Sequence, residues 1–303
     1  MHITQERGKP IDVTQQKYVD DMTQCAAIDL KKVAVLDPNP TPTLPRPYHE
    51  RTGHILPKEQ NPIVEEVDKL KEYARKNKMV INEEKTKLMI FNTATSVDVM
   101  PKIEISKSKV LEVVDETKLL GLIVRSDLKW HNNTKNIIAK SYKRMWILRK
   151  LKKFGAEEQE LVDTYTQQIR SITEMACPVW NAGLTQQESR SLERIQKTAM
   201  AVIRGGNHTT YQEALSYFGL ETLVKRREKL CINFAVKAYR NPKFTSWFAI
   251  NEPLANTRSE KLPLKQIVCR TGRYKKSPIP YLTDLLNVHL TTKKNLYEPH
   301  PTL

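Results

Sequence analysis

The sequence predicts an α+β chain, a small antiparallel sheet with a helix followed by an all-α helical bundle, on three observations. Short apolar and β-branched runs bounded by turn residues are confined to the part of the chain before Thr134. One amphipathic helical pattern lies among them. From about Thr134 to about Arg240 apolar residues recur at helical spacing, and two capping boxes open helices within that stretch.

The elements follow in order. Residues 1–36 contain Lys17-Tyr18-Val19-Asp20-Asp21, where Val favours a strand and Asp the turn after it, so a hairpin with an acidic turn is expected. Residues 37–62 carry 7 of the 17 prolines, a density that blocks helix and central strand and predicts an extended loop. In residues 63–130, Ile63 to Lys78 reads as a helix with Ile63, Val67, Leu70 and Ala74 on one face. Strands are expected at Lys87–Phe91, near Lys102–Ile105 and over Lys118–Val124, where Gly121 predicts a bulge or a close backbone approach.

Residues 131–242 read as helices. Thr134–Lys153 places Ile138, Tyr142, Met145 and Leu151 on one side, and Glu157–Ile172 carries a stripe of Leu161, Tyr165, Ile169 and Ile172. Thr185-Gln186-Gln187-Glu188 opens a helix through Leu192, Ile195, Ala199 and Val202, which Gly205-Gly206 ends. Thr210-Tyr211-Gln212-Glu213 opens a short helix. Leu223–Arg240 is a long one with Leu230, Phe234 and Ala238 inward, stopped by Asn241-Pro242. Residues 243–303 are basic, proline-containing and weakly periodic, and predict a loosely ordered tail.

Composition narrows the function. The 303 residues suffice for one or two domains with a core. A formal charge of +16 favours a polyanionic partner, nucleic acid before others. Nine glycines argue against a glycine-rich nucleotide-binding fold. Cys25, Cys177, Cys231 and Cys269 are far apart in sequence with no Cys-x-x-Cys pair, so neither a zinc site nor a disulfide framework is expected, and they read as reduced thiols. MHITQERGKP has no apolar core and no long apolar run occurs, which predicts an intracellular protein of cytoplasm or nucleus without signal peptide or membrane span.

Thr134–Lys153 concentrates the charge in eight basic residues and no acidic one. So many cations on one helix repel each other, and a polyanion relieves the repulsion. Lys140, Lys143, Arg144, Lys150, Lys152 and Lys153 are the candidate phosphate contacts. Tyr142 and Trp146 fit two uses, stacking on bases and packing in a helical core, with core packing the first expectation.

Several motifs in order resemble the non-LTR retrotransposon (LINE-like) reverse transcriptases. Tyr18-Val19-Asp20-Asp21 resembles their catalytic palm hairpin, and Asn82-Glu83-Glu84-Lys85-Thr86 the Asn-x-x-Lys-Thr core of the next palm motif. Leu119-Leu120-Gly121-Leu122 resembles the primer-grip hairpin, and Ser126-Asp127-Leu128-Lys129-Trp130 the segment leading into the thumb. Cys177-Pro178-Val179-Trp180, Leu192-Glu193-Arg194-Ile195-Gln196-Lys197, Leu220-Glu221-Thr222-Leu223 and Arg226-Arg227-Glu228-Lys229-Leu230-Cys231 resemble the helical region beyond, so the resemblance spans residues 15–243.

It implies a partial palm followed by a thumb-like bundle, and an RNA-directed DNA polymerase acting on an RNA template and a DNA primer. Two metal ions about 4 Å apart activate the primer oxygen and stabilise the leaving pyrophosphate in such a reaction. By resemblance, Asp20 would be the main Mg²⁺ ligand, Asp21 a supporting one, and Tyr18 would pack at the primer end. Lys85 would stand near the pyrophosphate as a general acid, or is a surface lysine at a strand start. Leu120, Gly121 and Leu122 would form the grip, or are ordinary strand residues.

The chain also departs from the family. Seventeen residues precede Tyr18, too few for fingers and the first palm carboxylate, and Thr14-Gln15-Gln16-Lys17 is polar where a palm strand is apolar. Two carboxylates from one turn do not close a two-metal site. The expectation is therefore a 5′-truncated polymerase fragment, inactive alone. The alternatives are a non-catalytic basic module that binds nucleic acid, and a functionless relic.

Overall fold

The computed structural model describes residues 14–17, 22–25, 62–91, 104–106, 109–205, 210–251 and 263–292. They fall into two compact units, Met1–Leu128 and Lys129–Leu303, together a mixture of helices and short strands.

In the first unit β1 (Thr14–Lys17) and β2 (Met22–Cys25) pair antiparallel, with Lys17 opposite Met22. The helix α1 (Pro62–Lys76) begins on proline, which fits the first turn because its missing N–H has no partner to lose there. Val67 and Ala74 are buried, as expected from the periodicity, and Leu70 is half-buried. Val67 meets Leu88 and Leu111, with Ile81 and Ile90 against them.

The expected small antiparallel sheet is not one sheet. Among the described residues the strands form four separate two-stranded ladders, and β3 (Lys87–Leu88) pairs parallel with β6 (Glu112–Val113). Residues 89–91 are not strand. β4 (Glu104–Ser106) pairs with β5 (Lys109–Val110).

The run Lys118–Val124 is a hairpin rather than a bulged strand: β7 (Glu116–Leu119) turns into β8 (Leu122–Arg125) with Leu119 opposite Leu122. Leu120 (φ 47°) and Gly121 (φ 87°) are both left-handed, the conformation a two-residue turn needs to follow the right-handed twist of its strands. Gly121 fits at no steric cost; Leu120 is strained by about 1–2 kcal/mol.

The second unit is helical. α2 (His131–Lys153) packs along α6 (Gln186–Arg204). Between them run α3 (Glu158–Tyr165), a π-helical turn (Thr166–Arg170), α4 (Ser171–Glu174) and α5 (Cys177–Trp180). Then come α7 (Tyr211–Tyr217), α8 (Leu223–Tyr239), α9 (Gly272–Lys275) and α10 (Pro278–Thr292). Leu161, Tyr165, Ile169, Leu192, Ile195 and Ala199 are fully buried as their spacing predicts. Full burial of a Leu or Ile stabilises by about 1.5–3 kcal/mol. Both capping boxes form: Thr185 Oγ1 accepts from Glu188 N while the Glu188 carboxylate accepts from Thr185 N, and Thr210 and Glu213 do the same. Gly205 ends α6 at φ 67°.

Four expectations about this unit are corrected. The π-turn carries extra residues per turn, so the buried stripe runs to Thr173 and leaves Ile172 half-buried. α6 buries Ile203 rather than Val202. α8 turns Arg227, Cys231 and Ala235 inward with Ala238, leaving Leu230 half-buried and Phe234 exposed. The region after residue 243 is not loosely ordered throughout. α10 packs on α8 and buries Leu282 and Leu286, while Asn287 clasps Leu264 by accepting from its N–H (2.8 Å) and donating to its carbonyl (3.1 Å).

Candidate nucleic-acid interface

The interface is built on the two sides of α2. The inward side is Asn133, Thr134, Ile137, Ser141, Met145 and Leu148, all buried. Met145 is buried as expected, but the rest of the face is shifted: Tyr142 is exposed, and Ile138 and Leu151 are half-buried. Three of the six buried side chains are polar, which hides the true face from a search for apolar periodicity.

The outward side follows from helix geometry. Lys135, Ala139, Tyr142, Trp146, Lys150 and Lys153 recur at intervals of three and four and are all exposed, so they form one stripe, flanked by Lys143 and Arg149. Eighteen residues of helix make this stripe about 27 Å long. Trp146 sits in its middle with 61% of its surface open, contrary to the core packing first expected for it and for Tyr142. The Lys150 ammonium lies 5.8 Å from the Trp146 ring centre, and Phe154 at the helix end is 80% exposed. Among the described residues no carboxylate stands within ion-pair distance of any of the eight cations. Arg144 alone is engaged, donating from Nη1 to Gln168 Oε1 at 2.8 Å. A basic, aromatic stripe without counter-charges attracts a phosphate backbone and offers rings to its bases.

Of the residues expected to touch phosphate, Lys143, Lys150 and Lys153 are exposed on the stripe, Lys150 beside the Trp146 ring; Lys140 is exposed to one side of it, Lys152 is half-buried and Arg144 is tied to Gln168. Lys135 and Arg149 belong to the face as well, and their helical spacing from Trp146 was the available signal.

The other sequence candidates stand as follows. Tyr18, Asp20 and Asp21 lie outside the described residues. The Mg²⁺ implied by the resemblance would be held by those two carboxylates. Among the described residues no group of three or more His, Cys, Asp or Glu side chains converges to hold a metal. Lys85 is exposed in a turn that Asn82 closes: Asn82 Oδ1 accepts from Lys85 N (3.1 Å) and its carbonyl from Thr86 N and Oγ1 (3.1 and 2.8 Å). Leu120 and Gly121 form the β7–β8 turn, and Leu122 is buried behind it.

The remaining motifs hold one another together. Glu193 caps α8, its carboxylate accepting from Leu223 N (3.1 Å), Val224 N (3.3 Å) and the Tyr211 hydroxyl. Gln196 accepts from Tyr165 Oη (2.6 Å) and donates to Tyr211 Oη (2.9 Å) and the Glu221 carbonyl (2.8 Å). Burial, with the bond to Glu193, raises the Tyr211 phenol well above its ordinary pKa, so it stays a donor. Arg226 pairs with Glu174 at 3.0 Å. The Trp130 indole covers Gly183, where any Cβ would fall on the ring.

No helix among the described residues is long and apolar enough to cross a membrane. Comparison with protein-family models, with curated proteins and with solved structures gives no match to this chain.

Proposed function

We propose that this chain is part of an RNA-directed DNA polymerase of the non-LTR retrotransposon kind, and that it binds template and primer through the outward stripe of α2. The stripe carries the reading: five exposed cations without a carboxylate partner among the described residues, Lys135, Lys143, Arg149, Lys150 and Lys153, arrayed around an exposed Trp146. The ordered motifs from Tyr18 to Cys231 support the polymerase class. In that reading the first unit is palm-like and the second thumb-like. Asp20 and Asp21 are the metal carboxylates, Lys85 is placed near the leaving pyrophosphate, and Leu120, Gly121 and Leu122 act at the primer. Two carboxylates do not close a two-metal site, so this stretch of chain alone binds without polymerising.

Two assays on the same preparation test both halves. Fluorescence anisotropy with a labelled RNA–DNA template–primer is expected to show binding that Lys143→Glu combined with Lys150→Glu weakens by about tenfold or more. Primer extension with Mg²⁺ and dNTPs is expected to give no product. Equal affinity of the wild-type chain and the double variant overturns the interface; extension by this chain alone overturns the binding-only reading.

A further inference from the structure

The motifs Cys177-Pro178-Val179-Trp180 and Arg226-Arg227-Glu228-Lys229-Leu230-Cys231 meet in the core of the second unit. Cys177 and Cys231 are both completely buried free thiols. Cys177 Sγ lies 4.0 Å from the Arg227 carbonyl, the oxygen to which the helix bonds the Cys231 N–H, so Cys177 of α5 packs against the turn of α8 that carries Cys231.

Arg227 is 1% exposed. Its Nε donates to Asn181 Oδ1 (3.0 Å) and its Nη2 to Ser189 Oγ (3.3 Å), while among the described residues Nη1 is buried with no partner and no carboxylate pairs with it. Trp180 lies 6.0 Å from the guanidinium. A buried cation without a carboxylate favours negative charge on whatever sulfur is beside it. The hydrogen bond with Cys231, with Arg227 adding, holds the Cys177 thiol below its usual pKa; the same bond and burial push Cys231 up.

We propose that Cys177 and Cys231 are a thiol-oxidation site, a dithiol that peroxide converts into a disulfide joining α5 to α8. The Cys177 sulfur attacks hydrogen peroxide, the O–O bond breaks, and the thiol proton leaves with the departing hydroxide as water. The Cys231 sulfur then displaces hydroxide from the resulting sulfenic acid, and its own proton completes a second water. Two thiols lose two electrons, and one peroxide accepts them. Access comes through α5. This helix is four residues long and follows Ala176, whose left-handed backbone (φ 50°) is strained for a residue with a Cβ. Lifting this one short turn exposes Cys177 without unfolding α8.

The test is hydrogen peroxide on the full chain under native conditions, followed by alkylation of free thiols and mass mapping. The expected product has lost two hydrogens and contains one linked peptide pair, Cys177 with Cys231. In urea, where the sulfurs are no longer held together, this pair is expected to lose its preference over the other cysteine pairings. In Cys231→Ser the linked pair is expected to vanish and Cys177 sulfenic acid to become trappable with a dione reagent. The proposal is overturned if Cys177 and Cys231 are recovered as free thiols while half-buried Cys269 is oxidised, or if Cys177 links to another cysteine.

Discussion

The two units use their sequence motifs differently. In the first, the motifs make turns: Asn82 closes the turn before β3, Leu120-Gly121 joins β7 to β8, and Arg125 forks onto Asp127 at 3.1 and 3.3 Å beside left-handed Leu128. Among the described residues the cluster behind them is Val67, Leu88 and Leu111. In the second, the motifs are the packing itself. Glu193 holds the start of α8, Gln196 joins three elements, and Trp180 and Arg227 fill the space between α5 and α8. That dense body frees the outer side of α2 to carry unpaired charge. A helix with eight cations is held in place by what it buries, not by what it shows.

The difference can be broken in several places. Trp180→Ala removes a fully buried indole and is expected to destabilise the second unit by about 3–5 kcal/mol, read from urea unfolding. Leu88→Ala in that cluster of the first unit is expected to cost less, about 2 kcal/mol. Equal losses would remove the contrast between the units. Glu193→Ala strips three donors of their acceptor and is expected to cost about 2–3 kcal/mol in the same measurement, with no effect on nucleic-acid affinity measured on folded protein.

Trp146→Ala reverses that pattern. It is expected to weaken single-stranded RNA binding by about 1–3 kcal/mol while unfolding stays within about 0.5 kcal/mol of wild type. The smallest change is Leu120→Gly, which relieves a left-handed Leu and is expected to stabilise the first unit by about 1 kcal/mol. A loss of stability there would mean that the Leu120 side chain contributes more than its backbone strain costs.

What was legible in the sequence was local. Thr185–Glu188 and Thr210–Glu213 announce their helices because both partners of a capping box lie within four residues. The faces of α2 and α8 were misread in part because each buries polar groups, Ser141 and Asn133 in one and Arg227 in the other, whose burial only a tertiary neighbour can satisfy. The cationic helix was legible from charge. Its aromatic centre was not, because exposure of Trp146 depends on that register. Cys177 and Cys231 looked unrelated because nothing in their spacing brings α5 onto α8.

The most direct test of the α2 interface is the salt dependence of binding to an RNA–DNA template–primer. Five exposed cations on the stripe predict that log K falls by about 4 for each tenfold rise in salt, a loss of affinity of about 250-fold between 50 and 200 mM. Charge reversal at Lys143 and Lys150 is expected to flatten that slope by about two. An affinity that stays constant across the same salt range would contradict the account.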